Sequence, residues 1–156
     1  MEPGVAPWAQ PGLSMRVFID TNLWVYRLDQ REPQKRQFIK TWLRQLAQEH
    51  EIVISTQVLI ELRAVMARKL QPPLSPPECR KALEALAGFE VVQTDAALVL
   101  DAHELAVANQ IAWFDALILE AAIRSQCSVL YSEDFNSNQH FCGIEIRNPF
   151  ENLTLP

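Results

Sequence analysis

The chain has 156 residues, 49% of them hydrophobic and 21% charged, with a formal net charge of −5. That length suits one domain around one sizeable core, and no apolar run is long enough to span a bilayer. The negative balance argues against binding nucleic acid by bulk electrostatics. It leaves room for an enzyme whose acids carry cations, because bound cations reverse the local sign.

The three cysteines, Cys79, Cys127 and Cys142, are widely spaced and form no CxxC pair. That usage fits a reducing cytosol and points away from disulfides or a zinc site, so a cytoplasmic protein is expected. The histidines His50, His103 and His140 are equally scattered. A metal here would be held by oxygen. No basic region followed by an apolar stretch marks a secretory signal.

Residues 1–14 are rich in Pro, Gly and Ala and show no periodicity. They are expected as a flexible extension, with a single domain over 15–156. Arg16 to Ile19 is apolar, β-branched and aromatic, the pattern of a strand covered on both faces. It stops at Asp20, and Thr21 and Asn22 are helix-starting residues. A short helix is predicted from Asn22 to Leu28. Pro33 suits the first turn of a second helix running to about Gln48, on which Phe38, Ile39, Trp42, Leu43 and Leu46 recur at helical spacing. Glu51 to Ile54 is the second strand, and Ser55-Thr56 caps a helix from Gln57 to about Leu70. A proline-bracketed loop leads to a helix from Glu78 to Ala87, ended by Gly88. Phe89 to Val92 is the third strand. Thr94 and Asp95 open a helix that ends at Asn109 or Gln110. Trp113 to Arg124 is apolar nearly all round, which places it deep in the core. Ser128 to Tyr131 is the fourth strand, Ser132 to Gln139 a polar loop, and Gly143 to Arg147 a short edge strand. Strands alternating with helices imply a parallel sheet of four to five strands between two helical layers, an α/β/α sandwich.

Four acids fall at comparable places in that pattern. Asp20 ends the first strand and Asp134 follows the fourth. Glu61 lies at the edge of the buried stripe of its helix, and Asp115 lies in the first turn of the apolar one. Each has an ordinary reading alone, as a cap, a rim glutamate, a dipole-favoured first-turn acid or a loop aspartate. Together they sit at the carboxyl edge of the sheet, where open α/β sheets bind ligands. Four carboxylates there repel one another unless cations separate them. Hard divalent ions favour such oxygen ligands, and two ions about 3.5–4 Å apart can activate water against a phosphodiester.

The segments Val17-Phe18-Ile19-Asp20-Thr21-Asn22, Ser55-Thr56-Gln57-Val58-Leu59-Ile60-Glu61-Leu62, Trp113-Phe114-Asp115-Ala116 and Leu130-Tyr131-Ser132-Glu133-Asp134-Phe135 resemble the four motifs of PIN-domain nucleases. The likeness is strongest to the toxin ribonucleases of VapBC-type toxin–antitoxin pairs, and it continues to Asn148-Pro149-Phe150. The resemblance implies a Mg²⁺- or Mn²⁺-dependent endoribonuclease with Asp20, Glu61, Asp115 and Asp134 as metal-binding, catalytic acids. It implies Asn22 and Ser132 as polar helpers that hold a water or a phosphate, an RNA substrate, a homodimer, and a cognate antitoxin whose peptide blocks the acidic groove. Relatives often carry glycine in the loop after the fourth motif, where this chain has Asn138.

Competing readings differ in what they require. A haloacid-dehalogenase-type phosphatase wants a second Asp two residues after the first, where this chain has Asn22. A receiver-type domain wants a late lysine, and none follows Lys81. No histidine lies in the four motifs, which disfavours histidine-based ribonuclease chemistry. An RNA-processing nuclease without an antitoxin and an inactive PIN-like RNA- or protein-binding module both stay open. The basic residues Arg27, Arg31, Lys35, Arg36, Arg63, Arg68 and Lys69 read either as a substrate rim or as scattered surface charge.

Overall fold

The computed structural model describes residues 14–135 and 139–151. The expected extension, apart from Ser14, and Asn138 lie outside the described residues. In chain order the elements are β1 (Arg16–Ile19), α1 (Thr21–Leu28), α2 (Pro33–Glu49), β2 (Glu51–Ser55), α3 (Thr56–Arg68), α4 (Pro76–Ala87), β3 (Glu90–Val92), α5 (Ala96–Asn109), α6 (Trp113–Arg124), β4 (Val129–Tyr131), β5 (His140–Phe141) and β6 (Ile144–Arg147). The sheet order is β3-β2-β1-β4-β6-β5. All neighbours pair parallel except β5 with β6. Helix α1 packs against both α2 and α3, α3 packs against α4, and α5 packs on α6. Right-handed crossovers divide these two groups between the faces of the sheet, because the chain winds outward to β3 and then returns past β1 to β4.

Burial explains the central strands. Val17, Phe18 and Ile19 of β1 and Val129 and Leu130 of β4 have no exposed surface. Helical layers on both faces leave no solvated side, hence the continuous apolar runs. Local chemistry fixes the helix starts. Ser55 accepts from the Val58 N–H at the head of α3, and Ser75 and Glu78 form a reciprocal capping box on α4. Asp95 caps α5, and Gln110 closes it in the left-handed region with φ 54°.

Three details differ from the sequence reading. Helix α1 starts at Thr21 because Asp20 itself caps it. The sheet has six strands: His140 and Phe141 pair antiparallel with β6 through a turn in which Cys142 and Gly143 have φ of 50° and 84°. Strand β6 is therefore covered rather than at the edge. Helix α6 is buried from Ala116 to Leu119 and at Ala121 and Ala122, but Trp113 and Phe114 are exposed, since its first turn overhangs the groove described next. Among the described residues no single helix is long and apolar enough to cross a membrane.

Candidate functional site

The order of the sheet reverses between β1 and β4, and such a switch point opens a crevice beyond the carboxyl ends of the strands. Here that crevice is a groove of about 470 Å³. Asp20, Glu61, Asp115 and Asp134 all line it. Four separate elements, 114 residues apart at the extremes, thus bring the expected acids to one place.

Asp20 is the most constrained of the four. It is 5% exposed. One carboxylate oxygen accepts from the Thr21 N–H at 2.7 Å, and the other accepts from Ser132 Oγ at 2.7 Å. Burial pushes its pKa up to about 7, and the nearby charges of Asp134 and Glu61 push the same way against those two hydrogen bonds. Glu61 accepts from Thr21 Oγ1 at 2.9 Å, so a single threonine steadies two of the acids. Asp115 is also raised, by burial first and then by Asp134 and Glu61. Asp134 is exposed, and its N–H donates to Ser132 Oγ at 3.1 Å.

Asn22 and Ser132 are present at the site but bond to its frame. Asn22 Nδ2 donates to Ser132 Oγ at 3.5 Å, and Asn22 Oδ1 accepts from the Glu133 N–H at 3.4 Å. They tie α1 to the loop after β4 and so fix where Asp20 and Asp134 stand.

Two further acids of the groove are already neutralised. Glu133 accepts from Tyr26 Oη at 2.7 Å and lies 3.5 Å from Lys35 Nζ, which sits over the Tyr26 and Phe150 rings. Of the adjacent pair Glu133 and Asp134, only Asp134 is left facing the other acids. Asp29 is buried at the end of α1 and holds Arg31 through both carboxylate oxygens, at 3.0 and 3.1 Å. The Arg31 hydrogen bonds keep the Asp29 pKa below the usual carboxylate range. Sequence reasoning missed these pairings, and also Thr21 as a clamp. Tyr26 and Glu133 are 107 residues apart, and no local pattern announces their contact.

The donor set is all oxygen, which suits Mg²⁺ or Mn²⁺ rather than a softer metal. Asp20 held near neutrality by burial and by two neighbouring carboxylates is the condition that a divalent cation relieves. The acids converge on a groove rather than on a point. Among the described residues, no three Asp, Glu, His or Cys side chains close into a ready ligand set. Mutual repulsion keeps free carboxylates apart, and Mg²⁺ retains several waters that span the remaining distance.

Fold and groove together define an α/β protein with an acidic crevice at the switch point of a mostly parallel sheet. The chain belongs to the PIN-domain family, whose model matches residues 17–139 and so includes all four acids. No curated protein matches it by sequence. Among solved structures it is similar to VapBC2 from Rickettsia felis bound to a fragment of its promoter DNA, at 21% identity and a TM-score of 0.63, over 86% of this chain and 98% of that one. A toxin–antitoxin complex from Klebsiella pneumoniae matches over the same shares, at 17% identity and a TM-score of 0.61. VapC20 of Mycobacterium tuberculosis, a toxin that cleaves the sarcin–ricin loop, matches at 19% identity and a TM-score of 0.52, over 76% of this chain and 89% of that one.

Proposed function

We propose that this PIN-domain protein is a divalent-metal-dependent endoribonuclease and the toxin of a toxin–antitoxin pair, acting in the cytoplasm. The observation that carries this reading is the shared groove of four carboxylates, one of them buried and with its pKa raised to about 7, by that burial first and then by Asp134 and Glu61. Asp20, Glu61, Asp115 and Asp134 would hold Mg²⁺ or Mn²⁺. Such an ion neutralises charge, supplies a nucleophilic water at neutral pH and orients a phosphodiester. The chain's own part is placement. Thr21 fixes Asp20 and Glu61, Ser132 fixes Asp20 and the backbone of Asp134, and Lys35 with Tyr26 withdraws Glu133. Lys69 on the groove wall offers positive charge to the RNA backbone. No histidine lines the groove among the described residues, which supports hydrolysis without imidazole acid–base chemistry.

A cognate antitoxin is the proposed protein partner. Support comes from the named toxin–antitoxin complexes and from a second cavity of about 400 Å³. That cavity is apolar at Leu43, Leu62, Leu86 and Phe89 and basic at Arg27, Lys40 and Arg44, a lining suited to an apolar, acidic peptide. A homodimer is proposed as well, for which Leu100 and Val107, both exposed on α5, offer apolar surface.

Incubating purified protein with structured RNAs and Mg²⁺ or Mn²⁺, beside EDTA, tests the nuclease. Metal-dependent fragments with 5′-phosphate and 3′-hydroxyl ends are expected. Cleavage that survives EDTA would overturn the metal assignment. The clamp gives a finer expectation. Thr21→Val keeps the shape and loses the hydrogen bond to Glu61. Mn²⁺ affinity by calorimetry should fall about tenfold, the lower end for a lost outer-shell contact, with little change in melting temperature.

A further inference from the structure

The groove contains an aromatic side chain that neither the acids nor the core uses. Phe114 is 63% exposed, yet it lines the same groove as Asp20, Glu61 and Asp115. A large apolar ring left in water is ordinary on a surface when it stands alone. Here the residue sits directly before Asp115 in the chain, and its backbone is bonded by a buried side chain. Gln57, only 7% exposed, donates from Nε2 to the Phe114 carbonyl at 3.2 Å. The carbonyl can only accept, so it dictates which way the amide points. Gln57 Oε1 is then left buried with no hydrogen-bond partner. A buried acceptor without a partner is unfavourable, and a methionine would fill similar space without it. Fixing the Phe114 backbone at the mouth of the acidic groove is what the glutamine provides.

We propose that Phe114 is a stacking platform for a nucleobase of the RNA beside the scissile phosphodiester, with Gln57 as the positioning residue that holds it. This rests on the nuclease reading above. RNA recognition acts on unstacked bases, which aromatic side chains receive on their faces. Such stacking tolerates any base, because every base has a π-face. Lys69 lines the same groove and can meet a neighbouring phosphate. Phe114 thus adds affinity for single-stranded segments without reading a base edge.

The test is binding of a short single-stranded oligoribonucleotide carrying 2-aminopurine, in Ca²⁺ to slow hydrolysis, read as fluorescence quenching on stacking. Wild type is expected to bind and quench. Phe114→Ala and Phe114→Leu should bind about tenfold more weakly, the order expected for one lost base–aromatic stack, and should lose the quench. Phe114→Trp should restore both, and Gln57→Met should fall between wild type and Phe114→Ala. Mn²⁺ affinity and molar mass by light scattering should stay unchanged throughout. Phe114→Leu binding and quenching like wild type would overturn the platform alone. A lower molar mass for Phe114→Ala would make the ring a contact between copies and would overturn it too. Wild-type protein that neither binds nor cleaves RNA would overturn the nuclease reading together with it.

Discussion

RNA cleavage by the Asp20→Asn protein is expected to fall below detection, while its melting temperature in EDTA at pH 7.5 is expected to rise above that of wild type. Both effects come from one carboxylate. Asp20 is buried, touches Thr21 and Ser132, and is pushed up to about 7 by burial, Asp134 and Glu61. At pH 7.5 it is largely ionised in a place that disfavours its charge. An amide of the same shape still accepts from the Thr21 N–H, and the Ser132 hydroxyl can turn to accept from the new amide by giving up the long 3.5 Å bond from Asn22 while keeping the one from the Asp134 N–H. The repulsion with Asp134 and Glu61 is gone. About 1 kcal/mol moves the midpoint roughly 2–4 °C at this chain length, so relief of about 2.5 kcal/mol gives a rise of roughly 5–10 °C by scanning calorimetry. The same change removes a negative oxygen donor, and a hard cation binds a neutral amide far less well than a carboxylate. A protein that loses cleavage and also loses stability would show that Asp20 is needed for the fold, not for the metal.

In EDTA, wild-type stability falls as pH rises from about 4 to about 7, and Mn²⁺ removes that fall. The sign follows from the shift. In the unfolded chain Asp20 releases its proton near the ordinary value of 3.8, whereas folded Asp20 keeps it up to about 7. Between those values the folded state binds more protons, so stability declines with rising pH and the loss is complete above about 7. One pKa unit is worth about 1.4 kcal/mol, which makes the decline on the order of 4 kcal/mol. Asp115 is shifted the same way by burial and adds to it. Asp29, Glu78 and Asp95 are shifted down, chiefly by hydrogen bonds, so their stabilisation is already complete above the ordinary carboxylate range. Mn²⁺ held as proposed would bind the deprotonated acids of the folded state, and its contribution should therefore grow with pH. Chemical denaturation at fixed pH values, with EDTA or with Mn²⁺, reads both curves. A flat curve in EDTA would contradict the crowded, buried arrangement of the acids.

The central sheet was legible because its strands are buried on both faces. Val17 to Ile19 and Val129 to Leu130 have no exposed surface, and a run without alternation is the trace of that burial. The four acids were legible as a set, through their recurrence after strands and at helix starts. The short β5 was not, because His140 and Phe141 gain strand geometry only from β6 and a turn at Cys142 and Gly143. The physical reason that Asp134 rather than Glu133 joins the set was hidden. Glu133 and Asp134 are neighbours of like chemistry, and only Tyr26 and Lys35, brought from α1 and α2, separate their roles. Asp29 looks like a loop acid until Arg31 closes on it in a buried place. Phe114 was absorbed into an apolar helix pattern, since periodicity reports composition and not which first-turn ring hangs over a groove.

Mn²⁺ titration calorimetry at pH 7.5, on wild type and on Asp20→Asn, Glu61→Gln, Asp115→Asn, Asp134→Asn and Glu133→Gln, tests most directly whether the four acids form one metal site. The account predicts binding by wild type, at least tenfold weaker binding in each of the first four variants, and wild-type binding by Glu133→Gln. Wild-type protein that takes up no Mn²⁺, or four variants that bind it as well as wild type does, would contradict it.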